Sequence, residues 1–184
     1  MKKNKILGFS NHSKKNNYKY LLLENGFSKK DLEVGCKILK SGKITMNIET
    51  RKFEEVFAKK LNVKYAVMTN SGSSANLLST FAACNPLRKN RFKRGDEAIL
   101  PALCWPTSLW PLHQAGLKVK FIDINPETLN INADELLSKI TKKTKVITLV
   151  NVLGSSSDNK KIINYAKKKN IIVIEDNCEG LGAK

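Results

Sequence analysis

A chain of 184 residues is long enough for one well-buried domain, and 41% hydrophobic with 27% charged residues is the composition of a chain that folds. No run of about 18 uncharged apolar residues occurs, and the basic start MKKNKILGFS has no apolar core of signal-peptide length, so no membrane span is expected and the location is read as cytoplasmic. The net charge of +17 invites a polyanion, and which one depends on where the lysines fall.

The first 27 residues (1–27), polar around NHSKKNNYKY, are expected to be an arm with at most one short helix, ahead of a folded part over 28–184. Ser28 offers an N-cap for KKDLEVGCKILK, which Ser41 and Gly42 end. A second helix, over 49–61, spaces Phe53, Val56, Phe57 and Leu61 at the three-and-four interval of a buried face. From Tyr65 the rhythm changes. YAVMT, EAILP, KVKFIDI, KVITLVN and IIVIED are short apolar runs without clean polar alternation, as buried strands are. Between them SANLLSTFAA, PTSLWPLHQAG, ADELLSKIT and DNKKIINYAKKKN have helical spacing. The alternation predicts an α/β fold of three layers, a mainly parallel sheet with helices on both faces. Such sheets bind ligands at the carboxyl ends of their strands, which selects residues 70–74, 102–107, 151–157 and 176–179.

The positive excess is dispersed through SKKNNYK, RKNRFKR, TKKTK and AKKKN, without interleaved aromatics. A solvated surface, attraction of a small molecule bearing a diphosphate, and a basic nucleic-acid-binding domain are all compatible with the charge, and the dispersal speaks against the last. Cys36, Cys84, Cys104 and Cys178 form no CxxC pair, so neither a zinc site nor a disulfide framework is indicated, and four reduced, mostly buried thiols are expected.

Three of the strand exits carry chemistry. In NSGSS, between an apolar run and a helix, Gly72 lets a ligand approach the backbone while Ser73 and Ser74 add small hydroxyl donors beside a helix N-terminus, an arrangement suited to a phosphate. The same serines also suit a cap that serves only its own helix. Asp176 leaves a buried strand toward the ligand crevice and needs a cation or several donors, a protonated pyridine nitrogen being one such cation. It equally suits a helix cap or a partner for Lys184. Trp105, just past EAILP, can stack on a heteroaromatic ring, whereas Trp110 reads as core and His113 as a packed or surface histidine.

NSGSSANLL, GDEAILPALCWPTSLWPLHQAGLKVKFIDINPETLNIN, TKKTKVITLVNVLG and IIVIEDNCEGLGA resemble, in order and spacing, the DegT/StrS family of pyridoxal-phosphate (PLP) sugar aminotransferases. The likeness is nearest to the branch that removes the 3-hydroxyl of nucleotide-activated 4-keto-6-deoxysugars. It implies the large domain of the fold type I PLP enzymes, truncated to its N-terminal part, the remainder and the small domain being absent. It further implies pyridoxal or pyridoxamine 5'-phosphate as cofactor and a nucleotide-sugar substrate for 3-dehydration or transamination in cell-surface polysaccharide (lipopolysaccharide) synthesis. A homodimer when full length and a reductase partner belong to the same expectation, with no nucleic acid and no membrane. Carried onto matching positions, Gly72, Ser73 and Ser74 resemble the phosphate cup and Trp105 the aromatic over the cofactor ring. Asp176 resembles the carboxylate at the pyridine nitrogen. Glu179 stands beside the ring 3-hydroxyl, where the dehydratase branch carries an acid. Asn47 after ITM and GSSSD after VNVL depart from the pattern, both in substrate-side loops. No catalytic residue is expected within the chain: the Schiff-base lysine, or the histidine replacing it in dehydratases, would follow Lys184, so the chain alone is expected to be inactive.

Overall fold

A computed structural model of the chain describes residues 26–45, 47–156 and 159–182. The arm expected over 1–27 lies outside the described residues except for Gly26 and Phe27. The chain forms two compact units, one up to Tyr65 and one from Ala66 onward.

The first unit holds two helices. Helix α1 (Lys29–Lys40) starts in a reciprocal capping box, in which Asp31 N–H donates to Ser28 Oγ (3.2 Å) and Ser28 N–H to Asp31 Oδ2 (2.8 Å). It ends at Ser41, with Gly42 at φ +66° as the glycine stop requires. Helix α2 (Ile48–Lys60) is capped by Asn47, whose side chain accepts from Ile48 N–H; the residue that departs from the family pattern is thus a helix starter. The buried stripe expected on this helix is not buried. Phe53, Val56 and Leu61 are exposed, Phe57 is half-buried against the Phe53 ring, and Ala58 alone is covered. Helical periodicity makes a stripe; a covering layer makes a core, and the described residues of this unit supply none.

The second unit contains α3 (Gly72–Ala83), β1 (Glu97–Pro101), α4 (Pro106–Gln114), β2 (Lys118–Ile122), α5 (Ala133–Lys139), β3 (Thr144–Val150), a 3-10 turn (Val152–Gly154), α6 (Asn159–Lys169) and β4 (Ile172–Asp176). The strands form one parallel sheet in the order β2-β1-β3-β4, with Ile99 beside Lys120 and Ile147, and Ile147 beside Val173. Successive strand residues face opposite ways, and each face has its own helices. Ile99, Ile147 and Leu149 pack with Leu136 of α5 and Ile162 of α6, while Ala98, Leu100 and Val146 pack with Ala83 of α3 and Leu112 of α4. This is the three-layer arrangement expected. YAVMT, however, is no strand: residues 65–69 take no part in the sheet, and Tyr65, Val67 and Met68 are exposed. A β-rich composition becomes a strand only where a neighbour accepts its ladder, and neither sheet edge is laid against this segment.

At the start of β1, Glu97 Oε2 accepts from Thr141 Oγ1 (2.6 Å), Lys120 Nζ (3.0 Å) and Thr144 Oγ1 (3.3 Å). The Thr141 hydroxyl first, and then the Lys120 ammonium, hold the Glu97 carboxyl below the ordinary glutamate range. A carboxyl whose folded pKa lies below its unfolded one stabilises fully above the unfolded value and loses that contribution as pH falls through the folded one. Glu97→Gln is therefore expected to cost about 1–2 kcal/mol at neutral pH, with the gap to wild type closing below about pH 4. Urea melts across that range check it.

Candidate cofactor site

The strand exits meet where the topology reverses between β1 and β3. A cavity of about 240 Å³ lies there, lined by Cys104 and Trp105 after β1, Val152 after β3, and Asp176, Cys178 and Glu179 at and after β4. Three of the six residues selected from the sequence, Trp105, Asp176 and Glu179, thus share one cavity. Ser73 and Ser74 line a different one, of about 290 Å³, with Leu77 of α3 and Thr107 and Trp110 of α4. Gly72 opens α3, with no atom within 4 Å of where a Cβ would stand.

Asp176 is the centre of the arrangement. Its Oδ2 accepts from Asn76 Nδ2 (2.8 Å) and from Ser108 Oγ (2.8 Å). Both donors are neutral, and Oδ1 takes no part in either bond. Neither residue was singled out in the sequence. Asn76 follows Gly72 by one helical turn on α3, and Ser108 is buried on α4, so each helix that covers this face of the sheet sends one donor to the carboxylate. A polar residue inside an apolar helical stripe was the only available signal. Asp176 bonds to these two and not as a helix cap, and the alternative partner, Lys184, lies outside the described residues.

At the start of α3, Ser71 Oγ accepts from Ser74 N–H (3.2 Å), and the first intrahelical bond runs from Ala75 N–H to Ser71 O. The serine turn does cap its own helix, yet Gly72 and Ser73 precede that first bond and keep their N–H groups directed out of the helix end. Trp105 occupies the N-cap position of α4 without a side-chain cap bond and is 70% exposed. Trp110, expected in the core, is 56% exposed and lines the serine cavity; it falls on the side of α4 that faces away from the sheet. His113 is exposed, in the last turn of α4.

All four cysteines are free thiols and none is fully buried, which corrects the expected burial. Burial, and then the Asp176 charge, push the Cys104 and Cys178 thiols up, so both stay protonated and present soft apolar surface at neutral pH.

Glu179 Oε2 accepts from Leu153 N–H (2.8 Å), inside the 3-10 turn after β3. Leu153 and Gly154 there adopt φ +52° and +80°. Asn151 anchors the turn from below: it is buried, and its Nδ2 donates to Glu175 Oε1 and Asn177 Oδ1 (2.8 Å each) while Asn159 Nδ2 donates to its Oδ1 (2.7 Å). A Cβ on Gly154 would stand 3.0 Å from the Glu179 carbonyl oxygen. Gly154→Ala is expected to cost about 1–2 kcal/mol, from the left-handed backbone together with that contact. A thermal melt reads it, and an unchanged midpoint would show that the turn relaxes freely.

A protein-family model, that of the DegT/DnrJ/EryC1/StrS aminotransferase family, matches residues 27–184. The chain is 44% identical over 163 residues to GDP-4-keto-6-deoxy-D-mannose 3-dehydratase of Yersinia pseudotuberculosis, a match covering 89% of this chain and 41% of that protein. It is 34% identical over 134 residues to GDP-perosamine synthase of Escherichia coli O157:H7, covering 73% and 35% respectively. Among solved structures, that of E. coli GDP-4-keto-6-deoxy-D-mannose-3-dehydratase with bound hydrated PLP matches with a TM-score of 0.83 at 41% identity, over 90% of this chain and 42% of that one. The chain spans about two fifths of the length of the dehydratase relatives it matches. With the parallel sheet, its layer order and the sequence match in agreement, the chain belongs to the DegT/DnrJ/EryC1/StrS aminotransferase family.

Proposed function

We propose that this chain is the cofactor-holding part of a PLP-dependent enzyme that acts on a nucleotide-activated 4-keto-6-deoxysugar and removes its 3-hydroxyl. The observation that carries the reading is the Asp176 carboxylate, set at a strand exit in a cavity with an indole and a second acid, and bonded by two neutral donors with no cation among them. A charge so placed fits a cationic ring. The rest of the donor set fits a flat, phosphorylated one: Trp105 for its face and, one turn before Asn76 on α3, the Gly72 and Ser73 N–H groups at the helix start for its phosphate, while the Ser73 and Ser74 side chains line the second cavity.

When bound, pyridoxal phosphate supplies an electron sink for a carbanion formed at the amine-bearing carbon. Asp176 would keep the proton on the pyridine nitrogen, which that sink requires, and Asn76 and Ser108 hold its carboxylate in place. Cys104 and Cys178 line the same cavity beside the carboxylate as protonated thiols. Glu179, tied to the turn after β3 by Leu153 N–H, would be the acid beside the ring 3-hydroxyl, and an acid there would favour dehydration over transamination. The exposed Leu39, Ile48 and Val56 of α1 and α2 suit burial against a second copy, and a cytoplasmic homodimer with a reductase partner fits the same reading. Among the described residues no helix is long and apolar enough to cross a membrane.

A chimera tests this. Substituted for the matching residues of the Yersinia relative, the chain is expected to hold PLP with a visible absorbance band and to consume GDP-4-keto-6-deoxy-D-mannose. A soluble chimera that binds no cofactor would overturn the proposal.

A further inference from the structure

A cavity of about 500 Å³ opens at the other end of the sheet, where the strands begin. Ile140 and Ile171 line its apolar part, beside the half-buried ring of Tyr165, and Lys142, Lys145 and Lys169 bring three ammonium groups to it. Thr144 starts β3 at this cavity and Val150 ends the strand at the Asp176 cavity, so the two lie about 20 Å apart.

The lysines come from TKKTK and AKKKN, runs that each read in the sequence as a solvated surface. The fold joins them. Lys145 is half-buried at the start of β3, Lys142 lies in the connection before it, and Lys169 stands over the Tyr165 ring, 5.9 Å from its centroid. No acidic side chain lines the cavity, and no ion pair among the described residues engages any of the three. The nearby hydroxyls of Thr141 and Thr144 donate to Glu97. The dipole of α6 accounts for a lysine in its last turn, but Lys142 and Lys145 belong to no helix. The Glu97 carboxylate is itself paired with Lys120, so three like charges around one concave surface, none of them in an ion pair among the described residues, repel one another less once an anion sits among them.

We propose that this cavity binds a small polyphosphate anion, free or carried on a nucleoside, at a site separate from the Asp176 cavity. The ammonium groups take the phosphates. The tyrosine ring and the two isoleucines offer an apolar seat to a base.

Calorimetric titration of the full chain with inorganic pyrophosphate and with ADP, at two salt concentrations, tests it. The triple variant Lys142→Gln/Lys145→Gln/Lys169→Gln is expected to lose at least about tenfold in pyrophosphate affinity, and Lys37→Gln/Lys40→Gln/Lys43→Gln, which removes the same charge beside α1, less than about twofold. ADP binding tighter than pyrophosphate assigns the site to a nucleotide, and equal affinities assign it to the bare polyphosphate. Equal losses in the two triple variants would reduce the effect to net charge and overturn the proposal. Displacement of pyrophosphate by pyridoxamine phosphate would do the same, by placing the anion at the Asp176 cavity. Circular dichroism of each variant separates lost binding from lost fold, and Asp176→Asn is expected to leave pyrophosphate binding unchanged, so failure here and failure of the cofactor reading are distinguishable.

Discussion

Asp176→Asn is expected to lower turnover of the chimeric enzyme by about 10²–10³-fold while moving its melting midpoint by no more than a few degrees. The substitution keeps the shape of the side chain and leaves an oxygen to accept from Asn76 and Ser108, so little packing is lost. What disappears is the negative charge that keeps a pyridine nitrogen protonated, and with it the pull on electrons that the chemistry needs. Single-turnover kinetics and a melt on the same preparation check both halves. Wild-type turnover would remove Asp176 from the role proposed for it; a collapse in stability equal to the loss in rate would make it a structural residue. Asp176→Glu is a useful companion. It restores the charge but lengthens the side chain, and so separates charge from position.

Leu112→Ala is expected to be the most destabilising of these changes, at about 3 kcal/mol, or about 10 °C in melting midpoint. Leu112 is fully buried on α4, packed in the cluster that contains Leu100 and Phe92, and truncation leaves a hole that strands on one side and helices on the other cannot both close. The consequence reaches the site. Ser108 lies one turn earlier on the same helix, so a loosened α4 also loosens its bond to Asp176. Leu87→Ala, at a 92% exposed position in the connection after α3, serves as the contrast and is expected to change stability by less than about 0.5 kcal/mol. Urea unfolding of the three proteins measures the difference, and equal midpoints would mean that α4 is not held by this cluster.

The fold was legible where local chemistry repeats. Ser28 and Gly42 bracket α1 as read, the four runs EAILP, KVKFI, KVITLV and IVIED are strands, and the layers follow from their alternation with helices. Misreadings arose where an element depends on something distant. YAVMT has the composition of a strand but no place in the sheet, and the apolar stripe of α2 has no layer over it. Trp110 was assigned to the core from its apolar character, although the face of α4 that it occupies looks away from the strands.

The site divides in the same way. Because a parallel strand delivers its next residues to one end of the sheet, the shared cavity of Trp105, Asp176 and Glu179 was legible from sequence position alone, whereas Ser73 and Ser74, which follow no strand, line a different one. The two donors on Asp176 come from 100 and 68 residues before it in the chain, and the three lysines at the opposite end come from two separate runs. Strand order and helix rotation decide which of those side chains meet. Periods of two and 3.6 residues are local properties that a sequence displays directly, whereas a hydrogen bond or a charge cluster between remote segments exists only once packing has chosen which faces touch.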